Sequence, residues 1–207
     1  MGRLMKPLAT SYILEVNEPA GLTEIFQPDY SIVIWKRKPN WNLLEHFSHF
    51  PILREIQIRE IFSEKNYSLE KILGYYSSVF LHPELIKDLE FLIELYYDLL
   101  GIQEVGFRFA NLKTQMCPKF HVDFVGIRLL CTYYGRGTEY VERNQENISY
   151  LQTTNSIPEK NIQRASNFDV VLLKGERWEN NQNRGAIHRS PSVEPEKNRI
   201  VLSLDTI

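Results

Sequence analysis

Apolar residues recur with two different periods along the chain, and the change falls near residue 104. From Pro83 to Leu100, residues Leu85, Ile86, Leu89, Leu92, Ile93, Tyr96 and Leu99 return every three or four positions, which lines one face of a helix. Pro83 suits its first turn and Gly101 its end. Behind Pro51, Ile52, Leu53, Ile56, Ile58, Ile61 and Phe62 recur at roughly helical spacing, so the pattern predicts a second helix over 51–64. The β-branched and aromatic run Tyr30–Trp35 predicts one strand, ended by the basic turn Lys36-Arg37-Lys38-Pro39. Residues 1–103 are therefore expected to be mainly helical with one early strand.

From Val105 the period becomes two, and Gly and Pro punctuate short apolar runs. Strands are predicted over Val105–Ala110, Phe120–Phe124, Ile127–Tyr134, Thr138–Val141, Asp169–Leu173, Ala186–Arg189 and Arg199–Leu204. Short strands without helices between them point to a barrel, a sandwich or a jelly roll over 104–207, hence an α+β chain forming one compact unit. The polar stretch from Glu142 to Asn167 is too long for a hairpin connection and reads as a lid or a loose loop.

With 207 residues, 43% hydrophobic and 12% aromatic, the chain can fill a core, which excludes disorder as its main state. The formal net charge of -2 gives no global basic field, so nucleic acid is the least favoured partner. No apolar run is long enough to span a bilayer and the first residues resemble no signal peptide, so a cytoplasmic protein is expected. Two cysteines, Cys117 and Cys131, are too few for a disulfide scaffold.

Five histidines carry the candidate chemistry. His46 and His49 stand at i, i+3 without a completing carboxylate or thiol, and His82 before Pro83-Glu84 reads as a helix cap. His121 and Asp123 differ: on a strand, residues i and i+2 point to the same side and can grip one ion. His188, in Gly-Ala-Ile-His-Arg-Ser-Pro, lies on a later strand that a curled sheet can bring alongside. Two imidazoles and one carboxylate on one face of an octahedral ion leave positions open, the arrangement of non-haem iron(II) oxygenases.

The order of parts after His121-Val122-Asp123 resembles the double-stranded β-helix of 2-oxoglutarate- and iron(II)-dependent dioxygenases, particularly the prolyl-hydroxylase-like branch. Those parts are a glycine-bounded strand, a distal His and a basic residue on the last strand. The resemblance implies a jelly-roll, cupin-like core, His121, Asp123 and His188 as metal ligands and catalytic centre, and Arg199 as the anchor for the distal carboxylate of 2-oxoglutarate. A planar guanidinium fork suits that anchoring task. Four blocks narrow the likeness to an uncharacterised bacterial family: Cys-Pro-Lys-Phe-His-Val-Asp from Cys117, Arg-Leu-Leu-Cys-Thr-Tyr from Arg128, Leu-Leu-Lys-Gly-Glu-Arg-Trp from Leu172 and His-Arg-Ser-Pro from His188. That family implies the same site and an association with bacterial zinc homeostasis.

Around the triad several assignments stay open. Ser203 shares the strand face of Arg199 and is a candidate helper, while Lys174 and Arg189 compete with Arg199 as anchors. Tyr133 or Tyr134 can line the co-substrate pocket or merely pack, and Cys131 reads as core. An unbroken strand from Cys117 to Asp123 would aim Cys117, Lys119, His121 and Asp123 the same way, and a thiolate there would close the site as tetrahedral zinc. Two functions follow: an oxygenase using Fe(II) and 2-oxoglutarate on a small-molecule or protein substrate, away from any membrane, or a zinc-handling protein without chemistry. The turn Trp178–Arg184 either shapes the pocket mouth or is a solvated turn.

Overall fold

The computed structural model describes residues 12–49, 54–63, 67–154, 156–194 and 197–207. Ten strands and four α-helices are present among them: β1 Ile13–Val16, β2 Ile32–Trp35, α1 Trp41–His49, β3 Ile56–Ser63, α2 Leu69–Tyr76, α3 Pro83–Leu100, β4 Glu104–Leu112, β5 Ile127–Tyr134, β6 Glu139–Tyr140, α4 Gln145–Thr153, β7 Gln163–Arg164, β8 Val170–Lys174, β9 His188–Arg189 and β10 Arg199–Thr206. A large sheet runs β1-β2-β8-β5-β10-β4-β3, and a small one runs β7-β6-β9, extended by a bridge between His121 and His188.

The chain is α+β, and its second half is a double-stranded β-helix. From β4 onward it alternates between the sheets: β4 large, His121 small, β5 large, β6 and β7 small, β8 large, β9 small, β10 large. Eight segments wound this way, antiparallel throughout, make a jelly roll. The first half does not stand apart from it, because β2 pairs with β8 and β3 with β4.

Each strand of the large sheet divides its residues between two faces, as period two requires. Leu129, Cys131 and Tyr133 of β5, Ile200, Leu202 and Leu204 of β10, and Phe107 and Phe109 of β4 join one core with Leu85, Leu89, Leu92, Ile93 and Tyr96 of α3. Residues of opposite parity, Arg128 and Leu130, Arg199, Val201 and Ser203, Arg108, Ala110 and Leu112, face the inside of the roll. Helix α3 has the expected limits. His82 Nδ1 accepts from the Glu84 N–H at 3.3 Å, and Gly101, at φ 61°, closes the helix in the left-handed conformation open to glycine.

Several expectations are corrected. Instead of a helix over 51–64, Ile56–Ser63 form a strand, and Pro51, Ile52, Leu53 and Glu64 lie outside the described residues. Ile56, Ile58 and Phe62 are buried while Gln57, Arg59 and Ser63 are exposed, an alternation that the similar spacing of the isoleucines conceals. The region before residue 104 thus holds three described strands rather than one. The polar stretch 142–167 is not a loose loop: α4 starts at Asn144, whose Oδ1 accepts from the Asn147 N–H at 2.8 Å, and β7 follows. Phe120–Phe124 form no strand beyond the His121 bridge.

Candidate metal centre

His121 and His188 face each other across that bridge, each N–H donating to the other's carbonyl at 3.0 Å. This reciprocal pair ties the irregular segment to β9 at one point, and Ser190 N–H to the Cys117 carbonyl, 3.1 Å, ties it at another. Asp123 reaches the pair from a loop rather than from a strand. Its carbonyl accepts from Glu176 N–H at 3.0 Å, while Arg177 N–H donates to Val125 O and Gly175 N–H to Gly126 O at 3.0 and 2.7 Å. The Gly-Glu-Arg turn after β8 is therefore the mould of the Asp123 loop. A side chain at Gly175 would lie 2.2 Å from Val125 O and 2.8 Å from Asp123 O, so only glycine permits the approach.

Ligand atoms of His121, Asp123 and His188 lie within 4.8 Å of one another, the one such cluster among the described residues. His121 Nε2 is 3.4 Å from Asp123 Oδ1, and His188 Nε2 is 3.1 Å from Asp123 Oδ2. Both imidazoles donate from Nδ1 to a backbone carbonyl, of Lys119 at 3.0 Å and Ala186 at 3.1 Å. With Nδ1 so engaged, each ring presents Nε2 to the carboxylate as the atom available to a metal ion, the usual orientation of metal-binding histidines. The site thus fits a divalent cation by its own chemistry. Burial would raise the Asp123 pKa, but hydrogen bonds from His121 and His188 and the charge of Arg128 outweigh it and hold the carboxyl well below its ordinary range. The hydrogen bond to Asp123 raises His121 against the opposing effect of burial.

Beside the triad a cavity of about 100 Å³ runs into the roll, lined by His121, His188, Cys117, Arg199 and Ser203 and walled by Ala110, Leu112, Leu130 and Val201. Arg199 is 4% exposed. Its Nε donates to Arg136 O at 2.9 Å and its Nη2 to Thr132 Oγ1 and Thr138 Oγ1 at 3.2 and 3.0 Å, all neutral acceptors. No carboxylate among the described residues pairs with it: Glu194 is taken by Arg136 and Lys197, and Asp205 by Arg128. Burial pulls its pKa down to about 10, offset only in part by the charge of Glu139, which Arg164 and Arg189 already hold. On the same strand face, Ser203 Oγ is buried without a hydrogen-bond partner. A buried cation without an anion and a buried hydroxyl without a partner together describe a place for a carboxylate.

The remaining candidates divide. Lys174 is on the wrong face: it shares parity with Val170 and Leu172, is buried, and gives its Nζ to Gln27 O at 2.9 Å, away from the cavity. Tyr133 likewise faces α3, donating to Asp88 Oδ2 at 2.8 Å. Arg189 lines the cavity, but Glu139 neutralises it at 2.6 Å. Cys117 stands on the cavity wall but outside the ligand cluster, because the strand that would have aimed it at the ion does not form. Cys131 is core, as expected. His46 lies against Val79 O at 2.8 Å and His49 Nδ1 against Glu45 O at 2.9 Å. Trp178 packs on Phe26 and the core, which makes its turn structural.

One residue escapes the sequence reading. Arg128 Nη1 donates to Asp123 Oδ2 at 2.6 Å, while its Nε and Nη2 grip Asp205 Oδ1 and Oδ2 at 2.5 and 3.1 Å. Strand parity could have revealed it as the charged residue of β5 on the face opposite Leu129 and Cys131.

A family model described as a protein of unknown function, DUF1826, matches residues 16–205. The chain belongs to the DUF1826 family. No curated protein matches it. Among solved structures, this DUF1826 chain is similar to a putative oxygenase from Shewanella oneidensis, at 12% identity and TM-score 0.48, covering 93% of this chain and 88% of that one. It is similar also to the dioxygenase for auxin oxidation in rice, at 10% identity and TM-score 0.45, covering 93% and 81%. A third is a bsmA homolog from Methylobium petroleophilum, at 15% identity and TM-score 0.46, covering 93% of each. These likenesses are loose; the jelly roll is read from the strand pairing itself. No described helix is long and apolar enough to cross a membrane.

Proposed function

We propose that this DUF1826 protein is an iron(II)- and 2-oxoglutarate-dependent oxygenase. The observation that carries the proposal is the sharing of one cavity by an open His-Asp-His cluster and an unneutralised, buried Arg199 with Ser203 beside it. His121, Asp123 and His188 would hold the iron. With both bound, the group would let dioxygen act as the oxidant, one oxygen atom going into the substrate C–H bond and the other into the succinate formed as 2-oxoglutarate loses carbon dioxide.

The chain's own part is placement. Arg199 would take the distal carboxylate of 2-oxoglutarate in its fork, with Ser203 Oγ donating to the same group. Ala110, Leu112, Leu130 and Val201 keep water from the interval between that anchor and the histidines. Arg128 does not compete as the anchor, since Asp123 and Asp205 already occupy its fork. The substrate is taken to be a small molecule or a protein side chain, with neither membrane nor nucleic acid involved, and the protein to be cytoplasmic.

A zinc-handling role would need Cys117 as fourth ligand, and the position of Cys117 outside the cluster favours the open site. Elemental analysis of protein prepared without oxygen or affinity-tag metal, followed by titration of iron(II) with and without 2-oxoglutarate, tests the reading. The expected result is a weak visible charge-transfer band that needs both components and is lost in His188→Ala. One equivalent of tight zinc with no response to 2-oxoglutarate would refute it.

A further inference from the structure

Asp123 has two oxygens, and the chain treats them differently. Oδ1 meets His121 Nε2 alone, whereas Oδ2 receives Arg128 Nη1 at 2.6 Å as well as facing His188. Arg128 is not free to move away. It stands directly opposite Asp205 in the β5–β10 ladder and is held there by two parallel bonds, and Asp205 is itself steadied by Arg108 Nε at 3.5 Å. Arg128 is largely buried, and burial, which by itself would favour loss of its proton, is outweighed by the charges and hydrogen bonds of Asp205 and Asp123. Two carboxylates on neighbouring elements are thus joined by one rigid fork.

We infer that Arg128 is a positioning residue that reserves Asp123 Oδ2 for itself, so that Asp123 gives a metal ion one oxygen and not two. The inference rests on the metal-site part of the proposed function. A carboxylate left free beside a divalent cation can chelate it with both oxygens and use up one more coordination position. An octahedral ion held by three protein atoms keeps three positions open, enough for a chelating keto acid and one further small ligand. Held by four, it keeps two, and the last place is gone. Hydrogen bonds to the non-ligating oxygen are the usual means by which a protein controls this. Arg suits the task better than Lys, because a planar fork can hold Asp205 and Asp123 at once while an ammonium cannot fix their relative angle.

The test uses Mn(II) alone, bound to the full-length protein, with water-proton relaxation counting the exchangeable waters on the ion. Arg128→Met would strand two acids, so it is combined with Asp205→Asn. Arg128→Lys, which keeps the charge, serves as a second variant, and thermal unfolding confirms that each is folded. The relaxivity of bound Mn(II) is expected to fall by roughly one third in the double variant, from three waters to two, with a smaller fall in Arg128→Lys. A merely structural role would not move this count. Equal relaxivity in wild type and in whichever variant folds overturns the inference. Failure of the wild type to take up Mn(II) overturns both the inference and the metal site. A lower count in the variants combined with no effect of 2-oxoglutarate on wild-type Mn(II) supports the role of Arg128 and refutes the oxygenase reading alone.

Discussion

Replacing Arg199 by Met removes a cation that has no counter-charge of its own, so its effect should appear on ligand binding and not on the empty protein. Its present partners are a carbonyl and two hydroxyls, and burial already lowers its pKa to about 10. Met fills similar volume without the desolvation cost, and the threonine hydroxyls can rotate to other acceptors, so the unfolding temperature should change little or rise. With 2-oxoglutarate bound, the same substitution leaves a buried carboxylate unpaired. Truncating one partner of such a pair costs about 2–5 kcal/mol, a loss of affinity of roughly 30- to 4,000-fold. The assay is thermal unfolding with Mn(II) and increasing 2-oxoglutarate. At about a hundred times the dissociation constant the ligand adds about 2.7 kcal/mol to the wild type, which for a chain of this size is an upward shift of roughly 5–10 °C. Arg199→Met should lose about two thirds of that shift or more at the same concentration while keeping its Mn(II) affinity, and Arg199→Lys should retain a larger part of it. An undiminished shift in Arg199→Met would refute the assignment and move the anchor to Arg108 or Arg189.

His188→Ala should lower divalent metal affinity at least a hundredfold, measured by competition with a fluorescent chelator, while changing the melting temperature of metal-free protein little. Cys117→Ser should leave Zn(II) and Fe(II) affinity unchanged in the same competition; a tenfold loss for zinc would revive the closed site. Lys174→Met should leave 2-oxoglutarate binding unchanged. Because burial lowers the Lys174 pKa to about 8, below its unfolded value near 10.5, the folded state releases the proton first, and the wild type gains stability as pH rises between about 8 and 10.5. Denaturant titrations should accordingly show the variant's advantage shrinking across that window, and a difference constant with pH would contradict the burial argument.

The parts of the fold legible in the sequence are those where one period runs unopposed. Pro83–Leu100 carries seven apolar residues at helical spacing with a Pro at one end and a Gly at the other, and the limits of β5 are legible to the residue. Ile56–Ser63 misleads for a physical reason: Ile58, Ile61 and Phe62 satisfy i, i+3, i+4, while Ile56, Ile58 and Phe62 satisfy period two. Pairing with β4, invisible in one sequence, decides between them. The short α4 is hidden because its one fully buried residue is the polar Asn147, and its partly buried apolar residues, Ile148, Tyr150 and Leu151, are too few to establish a period. At the site, the convergence of His121, Asp123 and His188 and the place of Arg199 on the cavity wall are legible, whereas Lys174 and Tyr133 fall on the other side of the sheet from the one expected, although their parity is available. Tyr133 keeps step with Cys131, which reads as core, and Lys174 keeps step with Leu172.

The Asp123 loop shows why block order is a better guide than local geometry. A strand over Phe120–Phe124 is the local reason for pairing His121 with Asp123, and that strand is absent, yet both side chains converge. What replaces the strand is the turn Gly175-Glu176-Arg177, about fifty residues away in sequence, whose three N–H groups hold the loop in place of a ladder. The close approach that only Gly175 allows, and Trp178 anchoring the far end of that turn in the core, give physical meaning to a Gly-Glu-Arg-Trp block that contains no ligand. Asp123 is thus positioned from three directions, by that turn at its backbone, by the histidines at its carboxylate and by Arg128 at Oδ2. The reach of its side chain is therefore set by the large sheet, since β5 carries Arg128, β10 carries Asp205 and β8 delivers the turn. A ligand on an irregular loop can then be as well defined as one on a strand, and a shift between β5 and β10 would be felt at the metal before it was felt anywhere else in the cavity.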